Sequence, residues 1–155
     1  MVAVRPCEEA DHPALAGLMA QMQAHYRVPC PPDTEIRAGL ANRPEGTELL
    51  VAEQDGALVG FAAFSAIYPG PGLKAGCFLK EIYVAEAARG LGAGRALLAE
   101  LARLALACGL GRIDWTAARD NERLLRFYES LGATPQPEKV FFRLTGEALR
   151  RLADG

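Results

Sequence analysis

Within residues 78–108 the sequence changes period over a few positions, and that change limits the fold more than any other feature of the chain. Phe78-Leu79-Lys80-Glu81-Ile82-Tyr83-Val84 is rich in β-branched and aromatic residues and reads as a strand. Further on, Leu97, Leu98, Leu101, Leu104, Ala105 and Cys108 recur at the spacing of one helix face. Between the two stands Arg89-Gly90-Leu91-Gly92-Ala93-Gly94-Arg95. Glycines at every second position allow close approach of the backbone to a ligand, and a helix start leaves N–H groups without intrahelical partners. Such a turn suits an anion, above all a phosphate or diphosphate. Two familiar phosphate loops fail on spacing. A P-loop needs Lys and then Ser or Thr, where this chain has Arg95 and Ala96. A G-x-G-x-x-G fingerprint ends on Gly or Ala, where the two registers give Arg95 and Leu97.

With 155 residues, 50% of them hydrophobic, the chain is long enough for one domain with a substantial core and too short for two ordinary ones, so a single domain over residues 1–155 is expected. Lys+Arg 17 against Asp+Glu 19 leaves no electrostatic footprint for nonspecific nucleic-acid binding. Cys7, Cys30, Cys77 and Cys108 are widely spaced and form no C-x-x-C pair. With only His12 and His25 beside them, they suggest neither a zinc site nor a disulfide framework, and read as reduced, mostly buried thiols. The first residues lack the basic start and apolar run of a signal peptide, and no apolar stretch reaches the ~20 residues of a membrane span. A cytoplasmic protein with no metal, no nucleic acid and no membrane contact is the expectation.

In chain order, residues 2–5 form a first strand that Pro6 ends, and Asp11 is a possible N-cap for a helix with Pro13 in its first turn. That helix buries Leu15, Leu18, Met19 and Met22 and stops near Tyr26, ahead of Pro29, Pro31 and Pro32. A second short helix covers residues 34–41. Residues 48–53 and 57–64 are strands around the hairpin signal Asp55-Gly56, and residues 77–84 are the next strand. Gly109 ends the long helix, and residues 112–116 form a strand reached by a helical crossover, hence parallel to its predecessor. Residues 121–131 are a helix closed by Gly132. Residues 139–144 are a late strand, and Thr145 caps a terminal helix. The fold class is α/β (α+β).

Arg89-x-x-Gly92-x-Gly94 resembles the cofactor signature of the GNAT superfamily of N-acetyltransferases, and the order of elements is similar to that fold over nearly the whole chain. Leu79-Lys80-Glu81-Ile82-Tyr83-Val84, Asn121-Glu122 with Phe127-Tyr128, and Phe142-Arg143-Leu144 before the terminal helix look like the diamine (spermidine/spermine) acetyltransferase branch. The resemblance implies a three-layer fold with a mixed central sheet of about 6–7 strands and helices on both faces, working as a homodimer.

It also implies roles. Ile82, Tyr83 and Val84 would run beside the pantetheine arm of acetyl-CoA, with main-chain atoms of Ile82 and Val84 in contact. Arg89, Gly90, Leu91, Gly92, Ala93, Gly94 and Arg95 would surround the diphosphate. Asn121 would hold the cofactor's amide arm, or serve as an ordinary N-cap, and Tyr128 would stand near the thioester sulfur as the acid for the leaving thiolate. The reaction would be acetyl transfer to a primary amine in a ternary complex, with a non-catalytic acyl-CoA sensor of the same fold as the alternative. A neutral amine needs a base. The branch's usual Glu is replaced by Lys80, and the carboxylate is displaced to Glu81, which ordinary strand alternation turns to the opposite face. Glu53 is a remote second candidate. Tyr26 and Lys80 are expected at the acceptor.

Overall fold

A computed structural model describes residues 1–155 as two compact units, Met1–Thr116 and Ala117–Gly155. In the first unit the chain runs β1 (Ala3–Pro6), α1 (His12–His25), α2 (Asp33–Ala41), β2 (Glu48–Gln54), β3 (Ala57–Ile67), β4 (Gly76–Val84), α3 (Ala93–Ala107) and β5 (Ile113–Asp114). The second unit holds α4 (Glu122–Ser130) and α5 (Gly146–Asp154) and contains no strand.

The five strands lie in sequence order, antiparallel from β1 to β4, with β5 parallel to β4. The β2–β3 hairpin turns on Asp55 (φ 52°) and Gly56 (φ 77°), the two left-handed residues that an Asp-Gly turn requires. Strand alternation sorts the core. Leu49, Val51, Phe61 and Tyr83 pack with Leu15, Leu18 and Met22 of α1 and Leu40 of α2. Their neighbours Leu50, Ala52 and Ala62 point the other way, where α3 brings buried Leu97, Leu98 and Leu101. Helices therefore cover both faces of a mixed sheet, as expected. At Gly60 β3 approaches β4 so closely that a Cβ would lie 2.8 Å from the Tyr83 carbonyl oxygen.

Several expectations are corrected. The sheet has five strands and not six or seven. β5 is only two residues long, and residues 139–144 form no strand despite their β-type composition. Of the cysteines only Cys77 is buried, while Cys30 and Cys108 are exposed. Thr145 precedes α5 without a side-chain capping bond. Asp11 does not cap α1 through its side chain. Its carboxylate instead accepts two hydrogen bonds from Arg5, at 2.7 and 2.8 Å, and one from the Glu8 N–H at 2.8 Å. Arg5 reaches on to Glu53 at 3.1 Å, so one guanidinium ties β1, the turn before α1 and β2 together. A carboxylate this well supplied with donors is the safer choice at a buried position, since unpaired it would cost several kcal/mol (roughly 3–5).

The Arg5 guanidinium holds the Asp11 carboxyl well below its usual range, at about 2. Because the folded value lies below the unfolded one of about 3.9, this ion pair stabilises the fold above pH ~4, and the contribution disappears as pH falls toward 2. Asp11→Asn should lower the free energy of unfolding by about 1.5–3 kcal/mol at neutral pH, the range for hydrogen bonds to a charged group. Denaturant titrations between pH 2 and 7 should show that deficit shrinking with acidification; a deficit independent of pH would exclude the ionic contribution.

Candidate active site

β4 is paired with β3 on one edge from Gly76 to Val84. On its other edge it meets β5 only at Cys77↔Ile113 and Phe78↔Asp114. From Leu79 to Val84 no strand lies on that side. Strand edges offer N–H and C=O groups at the spacing of a peptide, so an extended, amide-bearing ligand fits there as an added strand. β4 parts from its parallel neighbour directly before Lys80.

The chain then passes to α3 through Gly90 (φ 77°) and Gly92 (φ 91°). L-residues enter this region at a cost of about 1–2 kcal/mol. A Cβ at either glycine would meet nothing within 4 Å, so the glycines answer to backbone conformation, and the space over the turn is open. Gly94 belongs to the first turn of the helix and not to the loop. Hydrogen bonding within α3 begins with the Ala96 N–H on the Gly92 carbonyl, 2.9 Å, which leaves the N–H groups of Ala93, Gly94 and Arg95 without helical partners. With Leu91, Gly92 and Arg95 exposed beside them, the positive end of α3 is accessible to an anion. Arg89 is placed differently from the expectation of a cation facing this turn. Its Nε donates to the Val84 carbonyl at 3.0 Å, and its guanidinium lies 5.6 Å from the centre of the Tyr83 ring.

The register of β4 also corrects the reading of Lys80 and Glu81. Ala63 is opposite Glu81, but the next residue of β3, Phe64, is opposite Leu79. Lys80 is thus the extra residue of a β-bulge, and alternation is broken at that point. Glu81 and Tyr83 share the face packed by α1, and the bulge turns Lys80 toward the same side, with Nζ 3.5 Å from Glu81 Oε1. Ordinary alternation would have separated them. The end of α1 meets this place: the His25 ring centre is 5.1 Å from that of Tyr26 and 6.3 Å from that of Tyr83. Partial burial pushes the Tyr26 phenol above its ordinary value, with the Glu81 carboxylate adding to the shift and Arg89 opposing it.

Beside Ala63, α1, α2 and β2 enclose an apolar cleft walled by Met19, Met22, Ile36, Leu40 and Leu49, with Glu35 also lining it. Sequence reading placed Met19 and Met22 on the buried face of α1 and missed the cleft, which Gln23, Arg43 and Thr47 also line. Glu53 stands at the other end of β2 in its bond to Arg5, engaged in the structural network.

In the second unit Asn121 does cap α4, with Oδ1 accepting from the Leu124 N–H at 3.2 Å. Tyr128, seven residues on, is buried, its ring centre 5.5 Å from that of Phe127. No group of three or more His, Cys, Asp or Glu is clustered to hold a metal ion, and no helix is long and apolar enough to cross a membrane.

Residues 15–133 match the model of the acetyltransferase (GNAT) family. The chain belongs to that family. It is 35% identical over 98 residues to L-ornithine N5-acetyltransferase NATA1 of Arabidopsis thaliana, an overlap of 63% of this chain and 43% of that one. It is 34% identical over 79 residues to the thialysine N-epsilon-acetyltransferase of Bos taurus, 49% of this chain and 46% of that one. The chain thus spans under half the length of these curated relatives. Among solved structures, the integron cassette protein VCH_CASS6 from the mobile metagenome of V. cholerae superposes with a TM-score of 0.90 at 27% identity, covering 99% of this chain and 98% of that one. The ribosomal-protein-alanine N-acetyltransferase of Brucella melitensis biovar Abortus 2308 superposes with a TM-score of 0.78 at 26% identity, covering 92% and 99%. The fold of this GNAT protein is accordingly the mixed α/β fold of the family, with a five-stranded sheet and five α-helices.

The bulge makes a spectroscopic prediction. If Glu81 faces Tyr26, Glu81→Gln should lower the Tyr26 phenol's titration midpoint toward the ordinary tyrosine value, followed by the ring resonances in an NMR pH titration. An unchanged midpoint in a folded variant would place Glu81 on the opposite face.

Proposed function

We propose that residues 1–155 act as one acetyltransferase domain that moves the acetyl group of acetyl-CoA to a primary amine by direct attack in a ternary complex. The observation that carries this reading is the open edge of β4 running directly into the glycine turn, a peptide-like docking line that ends on an anion site. The family match supports it and crosses the boundary between the two compact units. Pantetheine would lie along Ile82, Tyr83 and Val84, and the diphosphate over Gly90, Gly92 and the first N–H groups of α3, flanked by Arg95. Arg89 would release the Val84 carbonyl to the cofactor's amide and turn to the phosphates. Asn121 would hold the cofactor arm through its amide while its Oδ1 remains the cap of α4. The protein would be cytoplasmic and a homodimer.

In the reaction the amine nitrogen bonds to the thioester carbonyl carbon, the C–S bond breaks, and the amide and the thiol of coenzyme A leave. The proton lost by the amine passes to Glu81, directly or through a water. Tyr128, protonated at neutral pH because a phenol's ordinary pKa is about 10, supplies the proton that the departing thiolate takes. Lys80, held beside Glu81 by the bulge, disfavours an acceptor that brings several positive charges, since like charges repel at a partly desolvated site. It favours one whose amine is accompanied by a carboxylate. Ornithine and thialysine, the acceptors named for two relatives, are of that kind, and their carbon chains suit the apolar cleft beside Ala63. A zwitterionic amino acid bearing a side-chain amine is therefore favoured over a polyamine, whatever the likeness of pattern to the diamine branch.

Two variants test the assignment. Gly92→Ala forces a left-handed Cβ-bearing residue into the turn at a cost of about 1–2 kcal/mol, so the protein should remain folded. Calorimetry should show acetyl-CoA binding weakened by about 10-fold or more through loss of the aligned N–H groups; unchanged affinity would remove the turn from the cofactor site. Tyr128→Phe keeps ring and packing and removes the hydroxyl. Turnover should fall by roughly 10²-fold or more, as for a lost acid–base group, with acetyl-CoA affinity and melting temperature nearly unchanged. Wild-type turnover in that variant would reduce Tyr128 to a core residue, and cofactor binding with no turnover in either protein would favour the sensor reading.

A further inference from the structure

Three arginines of the chain are half-buried: Arg5, Arg43 and Arg112. A guanidinium drawn out of water needs compensation, and two of the three have it. Arg5 is paired with Asp11 and Glu53, and Arg112 with Asp114. Arg43 takes part in none of the chain's ion pairs. It is nevertheless held in place. Its Nε donates to the Thr47 carbonyl at 3.2 Å and its Nη1 to the Leu40 carbonyl at 2.9 Å, which fixes the plane of the fork and leaves Nη2 uncommitted. An oriented guanidinium without a counter-charge is a receptor for a carboxylate.

Arg43 stands on the wall of the apolar cleft, whose volume of about 330 Å³ suits a small molecule. The register of the sheet says what else such a molecule meets. Glu81 of β4 is directly opposite Ala63 of β3, and Ala63 is directly opposite Leu49 of β2, so the three form one row on the face that α1 covers. Neighbouring strands are about 4.8 Å apart, which makes the row about 10 Å long. Ala63 and Leu49 line the cleft, and so does Thr47, whose carbonyl holds Arg43. A carboxylate thus stands at one end of the row and an unpaired guanidinium beyond the other, with apolar side chains between. Glu35, in the first turn of α2, is exposed and does not pair with Arg43.

We propose that Arg43 binds the carboxylate of the acceptor, so that the substrate is an ω-amino carboxylate stretched across this row. Its amine would lie at Glu81, a few methylene groups along Ala63 and Leu49, and its carboxylate at Nη2 of Arg43. This rests on the acetyl-transfer reading above and narrows it. Lys80 bears on the reacting end of the acceptor, whereas Arg43 selects at the far end. An α-ammonium has no counterpart at Arg43, so an ω-amino acid without one serves as well as ornithine. A diamine of similar length brings an ammonium to the guanidinium and is repelled.

The test compares ornithine with δ-aminovalerate, which is ornithine without its α-amine, with putrescine, which is ornithine without its carboxylate, and with pentylamine, which ends in a methyl group. In thiol release from acetyl-CoA, δ-aminovalerate should match ornithine. Its kcat/KM should exceed those of pentylamine and putrescine by about 10- to 100-fold, the fold-change expected for hydrogen bonds to a charged group. Arg43→Gln, whose amide can still donate to the Leu40 or Thr47 carbonyl, should bring the ratio of δ-aminovalerate to pentylamine near one, through KM and not kcat. Equal use of those two amines by the wild-type protein overturns the proposal, as does use of ornithine but not of δ-aminovalerate. A ratio that survives in Arg43→Gln also overturns it and moves the carboxylate to Lys80. Binding is read separately, on the wild-type protein with coenzyme A present, so the outcome does not depend on the variant folding. In proton–nitrogen correlation spectra the Arg43 Nε–H resonance should shift on titration with δ-aminovalerate and not with pentylamine. That shift without thiol release from any amine supports the carboxylate site and overturns the acetyl-transfer reading. Thiol release without the shift overturns the carboxylate site alone, and absence of both overturns the two together.

Discussion

The unequal pairing of β4 is the constraint on which the first unit depends. One edge is held by β3 at eight residues, with Lys80 bulged out, while the other is held by β5 at two. A parallel pair can be opened in this way only if the opened strand is fixed elsewhere, and here the fixing comes from packing on both faces. Tyr83 is locked against Phe61 and α1, and Leu79 and Cys77 are buried. The strand is therefore held by packing along the stretch that no second strand pairs. An edge fixed in this way is a better receptor for an extended amide ligand than a mobile loop, because little ordering entropy is lost on binding.

The turn after β4 and the bulge within it work on the same principle at different scales. Gly90 and Gly92 let the backbone reverse into α3 so that the helix N-terminus points out of the end of the strand line, and the emptiness around both glycines leaves that end accessible. The bulge at Lys80 rotates one residue and in doing so gathers a cation and a carboxylate on the face that α1 covers. Two residues that a regular strand would keep apart become an ion-paired neighbour couple.

The strand–glycine–helix passage was legible because it combines a switch from period two to period 3.6 with glycines at defined places. The Asp55-Gly56 turn was legible because only a few residue types tolerate two left-handed positions. What escaped reading has physical causes. A bulge adds one residue without changing composition, so nothing in Leu79-Lys80-Glu81-Ile82 announces that alternation stops there. Asp11 stands at a helix start and has a capping side chain, yet a guanidinium from β1 offers it a stronger, charge-assisted pair. Residues 139–144 have strand composition, but a strand also needs an edge to pair with, and composition does not state whether the same chain supplies it. The cleft between α1, α2 and β2 was invisible for a related reason: Met19, Met22, Ile36 and Leu40 read alike whether they fill a core or wall a cavity.

The central claim, that the open β4 edge and the glycine turn serve acetyl transfer to an amine, is tested most directly by measuring thiol release from acetyl-CoA against a panel of amines that includes ornithine, thialysine, alanine-terminated peptide, an aminoglycoside and spermidine. The account predicts thiol release with at least one amine, fastest with a zwitterionic side-chain amine and slow with spermidine. Tight acetyl-CoA binding with no thiol released by any member of the panel would contradict it, and efficient turnover of spermidine at micromolar concentration would contradict the role given to Lys80.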